Sequence, residues 1–421
     1  MELISILVFF GVIIAIVSEK VHRTAAAMAG AVVLVLTNVL SVEKAISYID
    51  FNTLGVLIGM MTFVAVVKNS GMFEYVAIKA AKVAKGDPWK IMVSFVIITA
   101  LLSSFLDNVT TVLLIGPMTI TIAKMLEISP VPIIVSEIMA ADIGGTATMI
   151  GDPSNIMIGS ASHLTFFQFL ANTGVVAVLS CTSLIIMGRL LYKKKMVTSE
   201  ADLEKIMALD EKKAITDRVL LRKSLIVMVF VIIGFATHDH FGIESSVVAM
   251  TAGVVMLLIG KQNLDHVIAE VEWPTLLFFS SLFIVVGGMV ETGVVGQMAK
   301  LIIDLTAGHE IITMITLLWS AAIISSFLDN IPFVATLIPL VTAMGQSGIP
   351  TEPLWWAISM GACLGGNGTL IGASANVVLS GISNKHGYPI SFKGYMKVGY
   401  PFMILSISIA TVFLVIKYGL M

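Results

Sequence analysis

Asp107-Asn108 and Asp329-Asn330 each set a carboxylate beside a side-chain amide within apolar sequence, at the end of one repeated phrase, SSFLDN, at 103–108 and 325–330. In hydrocarbon such a pair is costly, so its recurrence points to the handling of an ion or solute rather than to packing. Carboxylate and amide oxygens hold small cations, while amide hydrogens and the start of a following helix hold anions. N-capping by Asp107 and Asp329 accounts for part of the pattern, at about 1 kcal/mol each. An asparagine alone would cap at lower desolvation cost. Thr110 and Thr111 add hydroxyls just after the first pair.

About 35 residues after each phrase comes another related pair, GGTATMIGDPSN at 144–155 and GGNGTLIGASAN at 365–376. Gly144, Gly145, Thr146, Thr148, Asp152 and Asn155 in one copy, and Gly365, Gly366, Asn367, Thr369, Ser374 and Asn376 in the other, suit unwound segments lining a cavity rather than lipid-facing helix. Close packing through small residues explains the glycines alone, not the Asp and Asn residues. Glu137, Asp142 and Asp152 in the first copy stand against Ile358, Cys363 and Ala373 in the second, so the acids concentrate in one half. A membrane carboxylate carries a proton or holds a cation, which makes Asp107, Asp152, Asp329 and Glu137 the coupling candidates.

The elements that must position these groups follow from composition. With 57% hydrophobic and 12% charged residues and a mean hydropathy of +0.99, the chain reads as an all-α polytopic membrane protein, since helices satisfy their own backbone in lipid. The first apolar run lacks the flanks of a secretory signal and is expected to be a retained span. Five spans are expected in each half, at 3–18, 25–40, 53–69, 130–160 and 168–190, then 222–236, 246–260, 273–291, 353–380 and 398–417. Amphipathic stretches at 72–84 and 294–306 precede hairpins at 90–126 and 310–345. About 15 residues on either side of each SSFLDN reach about 22 Å as helix, short of a crossing, so each is expected to enter and leave by the same face.

Five crossings per half make an inverted repeat of about ten spans and two hairpins. The domains are then 1–191, a linker at 192–221, and 222–421. With the N-terminus outside, the linker is cytoplasmic, and all but Lys44, Lys300 and Lys417 of the 25 basic residues fall inside, as expected of a cell-membrane protein. No Lys or Arg lies within a span away from its ends, so an anionic substrate is expected to rely on helix dipoles, amides and hydroxyls. His238, Asp239 and His240 read as a solvated loop, and Cys181 and Cys363 as small buried hydrophobes. No nucleotide, zinc or nucleophile motif is present, and no nucleic-acid partner is expected.

At SSFLDNVTTVLLIGPMTI and GGTATMIGDPSNIMIGSA the chain resembles the ion transporter superfamily, in the branch of the arsenite permease and the pink-eyed-dilution (P) protein. The resemblance implies a dimerising scaffold, hence a homodimer, and a mobile transport domain built from the hairpins and unwound helices. In the related sodium-coupled dicarboxylate carriers each tip carries Ser-Asn-Thr. Here the tips read Asp107-Asn108-Val109 and Asp329-Asn330-Ile331, which favours a cation over a dicarboxylate.

The reading is a secondary active transporter of the elevator type, not an enzyme, coupled to a proton or sodium gradient and moving a small inorganic ion or anion, arsenite-like first. Sodium/proton antiport is the alternative within that mechanism, and an anion channel the alternative of another class. An intramembrane aspartyl protease, with paired Asp residues facing a groove, ranks third. Sodium ions are the expected bound species, with no organic cofactor, and membrane lipid and a small solute are the expected partners. The sequence gives no indication of a separate ATPase subunit.

Overall fold

A computed structural model describes residues 1–18, 20–196, 199–306 and 308–419; Val197 and Thr198 of the expected linker lie outside the described residues. The regular elements among them are helices, in two matching series. The first comprises α1 (Glu2–Val17), α2 (Arg23–Leu36), α3 (Val42–Ser47), α4 (Phe51–Lys68), α5 (Met72–Val83), α6 (Pro88–Ser103), α7 (Asn108–Met125), α8 (Val131–Ala147), α9 (Pro153–Ser162) and α10 (Phe166–Tyr192). After the linker helix α11 (Glu200–Met207), the order recurs in α12 (Arg218–Thr237), α13 (Ser245–Gly260), α14 (Leu264–Ala269), α15 (Trp273–Glu291) and α16 (Val294–Leu305). It ends with α17 (Glu310–Ser325), α18 (Asn330–Gln346), α19 (Glu352–Gly365), α20 (Ser374–Lys385) and α21 (Phe392–Gly419).

The sequence reading passed over α3 and α14, which are single turns and a half with too little apolar period to register. Their caps define them: Ser41 accepts from Lys44 N, and Asn263 from Asp265 N. The expected spans at 130–160 and 353–380 are each two helices, broken between α8 and α9 and between α19 and α20. His238 is not solvated. It is buried beside Phe235, its Nδ1 donating to Ile243 O at 2.8 Å, because the loop folds back onto α12.

Two packed groups result. α4 lies along α13 and α2 along α15, forming a scaffold with α1 and α12. α6 packs on α8 and α17 on α19, with α10 and α21 flanking them, and the amphipathic α5 and α16 lie against α7 and α18. α8 is buried on every side from Ile133 to Thr146, and α19 from Pro353 to Gly365. These two central helices carry the polar phrases.

The two helix pairs that meet at SSFLDN open toward opposite ends of the molecule. At one end the linker docks: Lys82 Nζ donates to Glu211 Oε2 at 2.6 Å and to Leu209 O at 2.8 Å, and Lys205 pairs with Glu127 just past α7. The Lys82 hydrogen bond, with that of Lys79, holds the Glu211 carboxyl down to about 2. This contact is present above the ordinary carboxylate range and is lost only as pH falls toward 2. At the other end, Tyr418 at the close of α21 donates to Glu352 at the start of α19, and Thr313 of α17 bonds Thr306 after α16.

The α4–α13 crossing depends on contact without side chains, since a Cβ at Gly59 would lie 2.3 Å from the Ala249 carbonyl carbon. Gly59→Val therefore costs about 1–3 kcal/mol or more, the range for forced overpacking. It should lower the detergent melting temperature by several degrees, whereas Gly11→Val, with open space around it, should not. Equal melting of the two variants would remove this crossing as the scaffold's tight point.

Candidate functional site

Each tip is built by a cap. α6 ends at Ser103, and Asp107, in extended backbone, starts α7 by accepting from Thr110 N at 2.9 Å and from the Thr110 hydroxyl. Asp329 likewise starts α18, accepting from Ile331 N at 3.3 Å. The tips are stitched to the broken helices by mirrored bonds. Ser103 Oγ donates to Ala141 O at 2.8 Å and Ser325 Oγ to Ala362 O at 2.7 Å. The hydroxyls of Thr148 and Thr369 donate to the carbonyls of Ser104 and Ser326.

The breaks themselves are held by asparagine. Asn155 Nδ2 donates to Gly145 O and Thr148 O, both at 3.1 Å, and Asn376 Nδ2 to Gly366 O at 2.9 Å and Thr369 O at 3.0 Å. These amides replace the helical partners that the unwound carbonyls lack. Gly144 lets α6 approach α8, since a Cβ there would lie 2.2 Å from Ala100 O.

At the centre the two halves converge on one carboxylate. Asp152 caps α9 by accepting from Ser154 N at 2.8 Å, and its Oδ2 accepts from Asn108 Nδ2 at 3.0 Å and Asn330 Nδ2 at 2.9 Å. These bonds satisfy carboxyl oxygens removed from water, and so offset part of the cost of burying Asp152. Asp142, also buried, receives Asn108 Nδ2 at 3.3 Å on Oδ1, while its Oδ2 has no hydrogen-bond partner among the described residues. Four helix starts, those of α7, α9, α18 and α20, point at this region, and Asp107, Asp152 and Asp329 cap the first three. The start of α20 has no side-chain cap.

A crevice of about 40 Å³ runs past Asp107, Asn108, Asp152, Asp329, Asn330 and Ser374. Its far wall is scaffold, and from there a basic group at a span end reaches the site. Arg23, the first residue of α2, extends from the helix end: Nη1 lies 3.1 Å from Asp329 Oδ2 and 2.6 Å from Ser374 Oγ, with the guanidinium 5.3 Å from the Phe278 ring centre. Glu272 and Thr275, at the start of α15, line the same crevice. A long side chain at a span end was the available signal for Arg23, but whether it turns to solvent or inward is decided by packing.

The remaining expected residues fall outside the crevice wall. Gly145, Thr146, Thr148, Asn155, Gly365, Gly366, Thr369 and Asn376 form the breaks behind it. The Thr111 hydroxyl and both polar atoms of Asn367 are buried without a hydrogen-bond partner among the described residues. Glu137 is buried farther along α8, bonded to the Thr119 hydroxyl. Ser154 and Cys363, not expected, meet beside Asp152 with Oγ and Sγ 3.3 Å apart.

Residues 13–361 match the profile of the family described as citrate transporter. The chain belongs to this family. It is 40% identical over 427 residues to an uncharacterised transporter of Mycobacterium tuberculosis, with 99% of each chain covered. It is 32% identical over 496 residues to the human P protein, covering 97% of this chain and 59% of that protein, so the P-protein resemblance seen in the phrases holds. The crystal structure of the YdaH transporter of Alcanivorax borkumensis shares the fold, with a TM-score of 0.61 over 88% of this chain and 86% of that one at 16% identity. The protein is a multi-pass membrane transporter of the citrate transporter family.

In this member of the family, Asp152→Ala leaves two buried tip amides without their shared acceptor. A stability loss of about 3 kcal/mol is expected, with a smaller loss in Asp152→Asn, measured by thermal unfolding of the purified protein. Wild-type melting of Asp152→Ala would show that this carboxylate does not hold the tips.

Proposed function

We propose that the protein is a secondary active carrier that binds a monovalent cation between the two tips and exposes it alternately to the two faces by movement of α6–α10 and α17–α21 against the scaffold. The observation that carries this reading is the convergence of Asn108 and Asn330 on Asp152, flanked by Asp107 and Asp329. Four carboxylates, two amide groups and one guanidinium around about 40 Å³ suit an ion or a water rather than a large solute. Sodium/proton exchange is the preferred activity. Asp107 and Asp329 are assigned to the cation at each tip, with Asn108, Asn330 and Asp152 between them. The two hairpins enter from opposite faces, in keeping with their opposite open ends. The linker is cytoplasmic, and the scaffold pairs two copies into a homodimer.

The converging helix starts favour a second reading, in which a small anion moves with the cation. Citrate, from the family's description, and arsenite, from the resemblance of the phrases, are the anions to test.

The deciding experiment uses proteoliposomes with an internal pH dye under an imposed pH gradient, with sodium, citrate and arsenite added separately. A pH change with sodium alone establishes exchange. A response only to citrate or arsenite establishes anion transport and removes exchange, and non-saturating conduction insensitive to any gradient would replace the carrier by a channel. Asp107→Asn should reduce gradient-coupled flux at least about tenfold while remaining folded; wild-type coupling would remove Asp107 from the mechanism. Cysteines at Lys90 and Lys300 should react with impermeant reagents from opposite faces, and labelling from one face would overturn the topology.

A further inference from the structure

Arg23 belongs to the scaffold, whereas its partners Asp329 and Ser374 belong to the other packed group, so this ion pair joins the two bodies at the site itself. Its neighbours mark which end of the scaffold the site has reached. Thr24 Oγ1 donates to Pro274 O at 2.8 Å, tying the start of α2 to the start of α15, and Lys68 at the end of α4 pairs with Glu270 just before that start. Thr216 of the linker region donates to Ser70 O and Asn69 O, also just past α4. The tips therefore rest against the linker-side end of the scaffold. At the opposite end, a cavity of about 580 Å³ separates Tyr48, Asp50 and Phe283 from Met157, Ser160 and Pro339.

The repeat shows what the site would meet there. Asp50 and Thr53, with the Thr53 hydroxyl 2.5 Å from Asp50 Oδ2, correspond to Glu272 and Thr275, whose hydroxyl and carboxylate oxygens lie 3.0 Å apart. The position of Arg23, however, is taken in the second half by Ser245, bonded to Asn52. The scaffold thus offers a fixed cation to Asp329 at its linker end and none at the corresponding place at the other end. Asp107, the counterpart of Asp329, has no ion pair among the described residues.

We propose that Arg23 is a resident cation that displaces a transported or coupling sodium-type monovalent cation from Asp329 when the site reaches the linker side. This rests on the cation-carrier reading above. A metal ion on Asp329 and the guanidinium at 3.1 Å compete for one carboxylate oxygen. In low-dielectric surroundings two like charges that close repel strongly. With the site at the other end Asp329 is free to take the ion, and on arrival Arg23 and Ser374 take its place. Arg23 acts as a positioning and release residue, making the ion's affinity differ between the two faces.

The test is sodium affinity measured separately from each face, in right-side-out and everted vesicles of the full-length protein. Arg23→Gln should raise linker-side sodium affinity about tenfold and leave the opposite face unchanged, whereas Arg23→Lys should stay within about twofold of wild type. Ser245→Arg, which installs the cation at the mirrored position, should lower affinity from the opposite face alone. Unchanged linker-side affinity in Arg23→Gln, an equal change from both faces, loss of anion binding in its place, or wild-type flux without any sodium dependence would each overturn the proposal. Failure of the wild-type protein to carry out gradient-coupled flux would instead overturn the carrier reading on which it rests.

Discussion

One carboxylate oxygen, Asp152 Oδ2, receives side-chain amides from both halves of the chain, and much of the architecture serves to bring them there. The second tip cannot be buried alone, because it presents the start of a helix and the Asn330 amide, whose acceptor lies in the first half. Together the two tips share an acceptor that itself caps a third helix. The acid is held in place by its donors, and the donors are held in register by the mirrored serine and threonine bonds to the broken helices. Local hydrogen bonding, rather than apolar packing, sets the geometry of this centre.

The inverted repeat makes the framework nearly symmetric, and the chemistry departs from that symmetry. Asp152 has Ala373 as its counterpart, Asp142 has Cys363, and Arg23 has Ser245. The acids gather on α8 and α9, while the sole cation at the crevice among the described residues comes from the scaffold and meets the opposite tip. A strictly symmetric framework would present equal environments at its two ends; these substitutions make them unequal. Because Arg23 is only partly exposed, with 30% of its side chain accessible against 14% for Asp329, its charge is less screened than those of Lys79 and Lys205 in the linker contacts.

Repetition made much of the fold legible. SSFLDN twice, and the glycine-rich phrases after it, locate the tips and breaks because Asp, Asn, Gly and Pro in apolar sequence have few tolerable places. The helix start at Asn108 and the break before Pro153 follow from capping and proline chemistry within a few residues. The short α3 and α14 were missed because a single turn carries no periodic pattern, and buried His238 was missed because its partner carbonyl depends on how the loop closes.

The sequence by itself therefore determined the membrane class, the duplication, the identity of the tip acids and amides, and the approximate helix ends, all of which rest on local composition and capping. Tertiary structure alone decided that Asn330 reaches Asp152 across 178 residues and that Arg23 reaches Asp329 across 306. The physical reason is that a long side chain at a helix end has several satisfactory directions. Only the crossing of α2 with α15, and the meeting of the scaffold with the tips, places a carboxylate in one of them.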